Sequence, residues 1–314
     1  MTVPSPRARQ ALTSHRRGTR ALAVDIGGTK LAVRVEAPGI TWSMREPWTG
    51  DSQEQLVAAL ARARRRLHDR VDRVAIACAP TLDASGRVVA WPSRPSWVGL
   101  PLRDLVVTAT LAEEIVLADD GTLAALAEAE AVRCADLAYI GIGTGVGGGI
   151  VSGGRLLTGC DGTAGEIGHL TVDPLGPACG CGRRGCLQTV VCAAALERRA
   201  TVLHGRATTT TQLVSAIREG QPWALRVQAE AAGTLATVIM LVDELVRPAR
   251  IHIGGGLGHA LTQLPSSIEQ CLAARRRPGR TPPVVAAASA GGDASLAGAL
   301  LVARRGAMVA GGVQ

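Results

Sequence analysis

Three glycine turns, each at the end of an apolar run, restrict this chain more than any other feature of its 314 residues. ALAVDIGGTKLAVRVE (21–36) has apolar and β-branched residues on both sides of Gly27-Gly28, the pattern of two strands joined by a tight turn. LAYIGIGTGVGGGIVSGGRLL (137–157) repeats the design, and ARIHIGGGLG (249–258) is a strand opening into a third turn. Between the first two lie a helical stretch at 52–68, a buried strand at 71–80 and a loop rich in Trp and Pro at 91–102. The segment 114–132 then runs from a short strand into an Ala/Leu/Glu helix, and long apolar helical stretches around 224–246 and 294–305 bracket the third turn. Strands and helices alternate in each half, with a glycine hairpin near the start of each. This order predicts two α/β domains around a central cleft, divided as 21–125 and 126–314 after an arm at 1–20.

A glycine turn beside a strand lets backbone N–H groups approach phosphate oxygens without obstruction by a Cβ. Taken singly, each turn reads equally well as an ordinary hairpin. In the order DIGGTK, GTGVGGG, IGGG they point to a nucleotide, but neither GxxxxGK[ST] nor a GxGxxG βαβ unit is present. Asp119 and Asp120 stand at the junction of strand and helix, where carboxylates suit the partial positive charge of a helix start. On spacing alone they read first as helix caps.

CGCGRRGC (179–186) concentrates three of the eight cysteines, and CxCx4C with His169 ten positions upstream is a metal-binding spacing. The other cysteines, at 78, 134, 160, 192 and 271, are too dispersed for a disulfide framework, which implies a reducing compartment. The net charge of +8 is spread along the chain in runs such as ARARRRLHDR (61–70), the signature of solvated faces, so no nucleic-acid partner is expected. The first twenty residues carry five arginines, no acid and no hydrophobic periodicity, and read as a disordered arm too short for a helix-turn-helix module. With no apolar leader and no run long enough to span a bilayer, the expectation is a soluble cytoplasmic protein without a membrane partner. Phenylalanine is absent and Lys30 is the single lysine, so the core has to be built from Val, Leu, Ile and Ala.

Together these stretches resemble the ROK family of sugar kinases and repressors, within the sugar kinase/Hsp70/actin superfamily. The likeness covers nearly all of 21–305: DIGGTK (25–30), the Asp pair at 119–120, GTGVGGG (143–149), EIGH (166–169), CGCGRRGC, IGGG (253–256) and the closing GGDASLAGA (291–299). It implies two actin-like (ribonuclease H-like) domains around the cleft, with a zinc-pinned loop, and a homodimer. ATP and Mg²⁺ are the implied cofactors. Gly27, Gly28 and Thr29 with Gly143, Thr144 and Gly145 would hold phosphates, Lys30 would lie beside them, and Gly254, Gly255 and Gly256 would lie near the adenosine. Asp25 would position Mg²⁺ through water. A structural Zn²⁺ would be held by His169, Cys179, Cys181 and Cys186, a closed set with no open position. Asp120 corresponds to the catalytic aspartate that takes the proton of the attacking sugar hydroxyl, which reverses the capping reading. Ser93, Asp119, Glu166, His169 and Gln188 would join Asp120 around the acceptor.

Three of those positions depart from the family pattern, which usually has Asn at 119, Glu at 188 and Asn at 93. An amide has become a carboxylate at 119 and the reverse has happened at 188, so the hydrogen-bond donors change sides. A site built for particular hydroxyls rejects a ligand that leaves its polar groups unpaired. The expected activity is therefore ATP-dependent phosphorylation of a primary hydroxyl on a hexose-like acceptor other than plain glucose: a valiolone-type C7 cyclitol or an unusual hexose derivative. A glucokinase-type enzyme and a non-catalytic sugar-sensing protein are the alternatives.

Overall fold

The computed structural model describes residues 18–28, 30–48, 52–68, 70–91, 94–160 and 162–306. Residues 1–17 of the Arg-rich arm, Thr29 and Ser93 lie outside the described residues. The chain divides into two compact units. The first takes its described residues from the stretch up to Ala127, from Gly153–Ala164 and from Asp293 onward; the second comprises Glu128–Ser152 and Gly165–Gly292.

In the first unit the strands are ordered Ile40–Pro47, Lys30–Ala37, Ala21–Ile26, Arg73–Ala77, Glu114–Ala118. The first three form an antiparallel meander, and the last two join in parallel. Ala21–Ile26 is buried throughout, as a central strand covered on both faces must be, whereas Ile40–Pro47 at the edge alternates between exposed and half-buried positions. The helix Gln53–Arg66 follows the reading at 52–68. Ser52 caps it by accepting from the Gln55 N–H at 3.2 Å, and three arginines fill its last turn, where cations suit the helix dipole. The helix Ala294–Arg305 belongs to this unit, and the Leu123 backbone leaves no room for a side chain at Gly298 on it.

The second unit repeats the plan with Val146–Ser152, Leu137–Ile142, Arg250–Gly254 and Val284–Ala287, the first pair antiparallel and the others parallel. Its core is aliphatic, drawn from Val, Leu, Ile and Ala of the sheet and of helices such as Pro222–Val246. The first unit instead buries Trp48, Trp91 and Trp97. Among the described residues no helix is long and apolar enough to cross a membrane.

Candidate active site

The carboxylates of the first unit collect where its parallel strands end. Asp25 is the penultimate residue of Ala21–Ile26, in register with Ala77, and Asp119 directly follows Glu114–Ala118. Asp25 is buried; its Oδ2 accepts from Ser295 Oγ at 3.0 Å, and Lys30 Nζ lies 4.0 Å away. Burial raises its pKa above the usual aspartate value, against the opposing pull of Ser295 and Lys30. Cys78, which follows the middle strand, is a buried thiol pushed far up, first by burial and then by the charges of Asp119, Asp120 and Asp25. Three carboxylates thus bear on one thiol at the carboxyl ends of adjacent strands, where open α/β sheets present their ligand sites.

Asp119 and Asp120 differ in their geometry. Asp119 is half-buried and its Oδ1 accepts from the N–H groups of Gly121 and Thr122, at 2.9 and 3.1 Å, so it caps the helix Asp120–Ala131. Asp120 is exposed in the first turn of that helix. The capping function expected from spacing therefore falls to Asp119.

The first glycine turn is closed by a hydrogen bond from Gly27 N–H to the Lys30 carbonyl at 3.0 Å. Lys30 Nζ also donates to Asp293 at 3.4 Å, and Arg45 pairs with the same carboxylate. The Gly27 carbonyl accepts from Arg94 Nη2 at 2.7 Å. Arg94, Asp293 and Ser295 were not singled out in the sequence, although WPSRPSW and GGDASLAGA contain them. An arginine between tryptophans and prolines carries no local signal of what its guanidinium will reach.

The second unit places its residues on a similar frame. Gly143–Gly145 connects the antiparallel strands Leu137–Ile142 and Val146–Ser152; Gly143 N–H donates to the Gly145 carbonyl at 2.9 Å, and Thr144 and Gly145 are exposed. Gly254 ends the strand Arg250–Gly254, and Gly255 and Gly256 open the short helix Gly255–Ala260. The EIGH segment lies against the hairpin, because a Cβ on Gly168 would overlap the Val146 carbonyl. Glu166 is exposed and its carbonyl accepts from the His169 N–H at 3.0 Å.

One ligand atom from each of His169, Cys179, Cys181 and Cys186 lies within 4.8 Å of every other. Cys179 Sγ is 3.6 Å from His169 Nδ1, and Cys181 Sγ is 3.6 Å from Cys186 Sγ. A tetrahedral zinc ion sets sulfur–sulfur and sulfur–nitrogen edges of about 3.8 and 3.5 Å, so the donor set fits such an ion in chemistry and in size. A tight turn builds the loop, with Gly182 N–H donating to the Cys179 carbonyl at 3.0 Å and Cys179 N–H to the Arg183 carbonyl at 2.8 Å. Hydrogen bonds from the Arg183 backbone and side chain lower the Cys181 thiol to about 6, which favours the thiolate that a metal takes. Burial, and then the neighbouring sulfurs, raise Cys186. Gln188 Nε2 donates to Cys179 Sγ at 3.1 Å. Its Oε1 lies 3.3 Å from where a Cβ on Gly145 would stand, so this one side chain touches both the cluster and the second glycine turn.

The ROK family profile matches residues 21–305. The chain belongs to the ROK family. A kanosamine kinase of Amycolatopsis mediterranei (strain S699) is 40% identical over 289 residues, covering 90% of this chain and 95% of that protein. Among solved structures, a ROK hexokinase from Thermus thermophilus aligns with a TM-score of 0.80 at 32% identity, over 91% of this chain and 98% of that one. A ROK family glucokinase from Streptomyces griseus, in complex with glucose and AMPPNP, aligns with a TM-score of 0.73 at 29% identity, over 91% and 100%. This ROK protein is an ATP-dependent sugar kinase with the α/β architecture of those structures.

Proposed function

We propose that this kinase transfers the γ-phosphoryl group of ATP to the primary hydroxyl of an amino-hexose of the kanosamine type. The observation that carries the acceptor is the cap at Asp119. Asp119, whose Oδ1 accepts from the Gly121 and Thr122 amides, brings only acceptor atoms to this position, where an asparagine held by the same cap would bring an NH₂ donor. An acceptor-only anion suits a protonated amine and gives a neutral hydroxyl no donor to pair with. The 40% identity to a kanosamine kinase supports the same choice. The C7 cyclitol expected from the sequence presents hydroxyls without a cation, and so ranks second.

In this reading the acceptor's hydroxyl oxygen attacks the γ-phosphorus, its proton passes to an Asp120 carboxylate oxygen, and the bond to the departing ADP breaks. Asp120 is suited to this role because it is exposed in the first turn of its helix, where an acceptor hydroxyl can reach it. Gly27, Gly28 and Thr29 in one turn and Gly143–Gly145 in the other would line the phosphates, with Lys30 beside the first and the Gly27 and Gly143 N–H groups closing the turns themselves. Gly254–Gly256 takes the adenosine side. Asp25 would help to position, through water, the Mg²⁺ that offsets phosphate charge. His169, Cys179, Cys181 and Cys186 would hold a structural zinc ion that fixes the loop preceding Gln188. Ser93, Glu166, His169 and Gln188 complete the acceptor's surroundings, and the active protein is a homodimer, as the resemblance implies.

ADP release with Mg-ATP, measured on zinc-loaded protein against kanosamine, glucose, N-acetylmannosamine and a valiolone-type cyclitol, tests the proposal. Kanosamine is expected to exceed glucose by at least tenfold in kcat/KM, and Asp119→Asn to lower its kcat/KM by about 10- to 100-fold, the worth of one charged hydrogen bond. Equal or better turnover of glucose or the cyclitol by the wild type would overturn the amino-hexose assignment.

A further inference from the structure

We propose that Arg94 is a positioning residue that ties the tryptophan-rich stretch around Trp91 and Trp97 to the first glycine turn, so that nucleotide bound at the turn is sensed by the tryptophans. The inference rests on the reading of Gly27-Gly28 as a phosphate loop given above. Arg94 is only 2% exposed, and its guanidinium carbon lies 4.5 Å from the Trp48 ring centroid, 5.4 Å from that of Trp97 and 5.7 Å from that of Trp91. The three indoles pack edge to face, with Trp97 in the middle at 5.8 Å from Trp48 and 5.2 Å from Trp91. They leave the guanidinium little freedom, and each ring face attracts it.

Out of this cage Nη2 reaches the Gly27 carbonyl at 2.7 Å, a charge-assisted bond. The N–H of the same glycine is already spent on Lys30, so both polar backbone groups of Gly27 are fixed, one by the turn itself and one by Arg94. The carbonyl of Gly27 shares its peptide plane with the N–H of Gly28. Holding one aims the other, and a flip of that plane would turn a phosphate donor away from its ligand. Arg94 also helps to shape its own stretch: its N–H donates to the Trp91 carbonyl at 2.8 Å, and its carbonyl accepts from the Trp97 N–H at 3.0 Å. A shift at the glycine turn therefore has a covalent and hydrogen-bonded path to Trp91 and Trp97, and a ring contact through the guanidinium to Trp48.

Titration of the full-length zinc-loaded protein with Mg-ADP, followed by calorimetry and by tryptophan emission, tests this without involving any acceptor. The wild type is expected to change its emission on saturation. Arg94→Met, which keeps an unbranched chain in the cage but loses the donor, is expected to bind Mg-ADP about tenfold more weakly and to lose most of that emission change, with the emission maximum and Tm of the free protein near wild type. A residue that merely filled space would lower Tm and redden the free protein's emission without altering the response to nucleotide. Wild-type affinity and emission change in Arg94→Met overturn the proposal. Should that variant not fold, Trp48→Phe carries the test by calorimetry: a two- to fourfold loss of Mg-ADP affinity supports the cage, and an unchanged affinity overturns it. A wild type that does not bind Mg-ADP would overturn the phosphate-loop reading and this inference together, whereas wild-type binding indifferent to Arg94 would overturn the inference alone.

Discussion

Gly28 in the first turn and Gly255 in the third belong to motifs of similar composition, yet among the described residues only one of them is confined by its neighbours. A Cβ on Gly28 would meet nothing within 4 Å among the described residues, and its backbone is not in the left-handed region. Gly255 has a φ of +77°, and a Cβ there would overlap the backbone of Ile142 on the neighbouring strand. The second glycine is required by the protein's own packing. The first meets no such demand among the described residues, which agrees with the role proposed for it beside a phosphate.

The strongest way to break this contrast is Gly255→Ala. Strain at positive φ adds to a backbone overlap that no rotamer change can relieve, and a loss of about 3 kcal/mol or more is expected. Thermal or urea unfolding reads it directly. A variant within about 1 kcal/mol of wild type would mean that the third turn relaxes easily and that the contrast is not real.

Gly28→Ala should behave in the opposite way. Its stability should stay within about 0.5 kcal/mol of wild type, while Mg-ATP affinity falls about tenfold because a methyl group intrudes where phosphate oxygens approach the backbone. Stability and binding are separate measurements here. Loss of stability with intact binding would reverse the assignment of the first turn.

How far these differences were legible in the sequence depends on the range of the interaction. The glycine hairpins, the helix at 53–66 and the CxCx4C loop are local patterns, and the structure places them where the sequence reading did. Other features depend on partners far along the chain. Asp293 meets Lys30 across 263 positions and Ser295 meets Asp25 across 270, because the closing helix belongs to the first unit. No periodicity announces such a return. Asp119 and Asp120 show the intermediate case: their position at a helix start was plain, but which of the two caps the helix depends on side-chain direction. Gln188 is another such case, since its spacing from Cys186 was evident and its donation to Cys179 was not.

The firmness of the third turn has a second source, which gives the smallest expected effect. His252, two residues before Gly254, is buried, and its Nδ1 lies 2.7 Å from Glu128 Oε2. The same fully buried carboxylate accepts from Ser289 N–H at 2.8 Å, Ser289 Oγ at 3.0 Å and Ala290 N–H at 2.7 Å. Burial alone would raise the pKa of Glu128, but the bonds from His252, Ser289 and Ala290 together outweigh it, and the net displacement is downward. A carboxylate whose folded pKa lies below its unfolded value contributes stability that is fully present above the unfolded value, about 4.3, and is lost as pH falls through the folded one. Between pH 7 and about 5 this group should therefore leave stability unchanged; below that, the wild type should lose stability that Glu128→Gln does not lose, because the amide has no proton to gain. Urea unfolding of both proteins at pH 7, 5 and 3.5 isolates the difference. Glu128→Gln should be the less stable protein at pH 7, and the gap should narrow only in the most acidic sample. A gap that stays constant across the series would mean that the carboxylate is held by shape rather than by charge, and that the third turn owes its firmness to the packing around Gly255 alone.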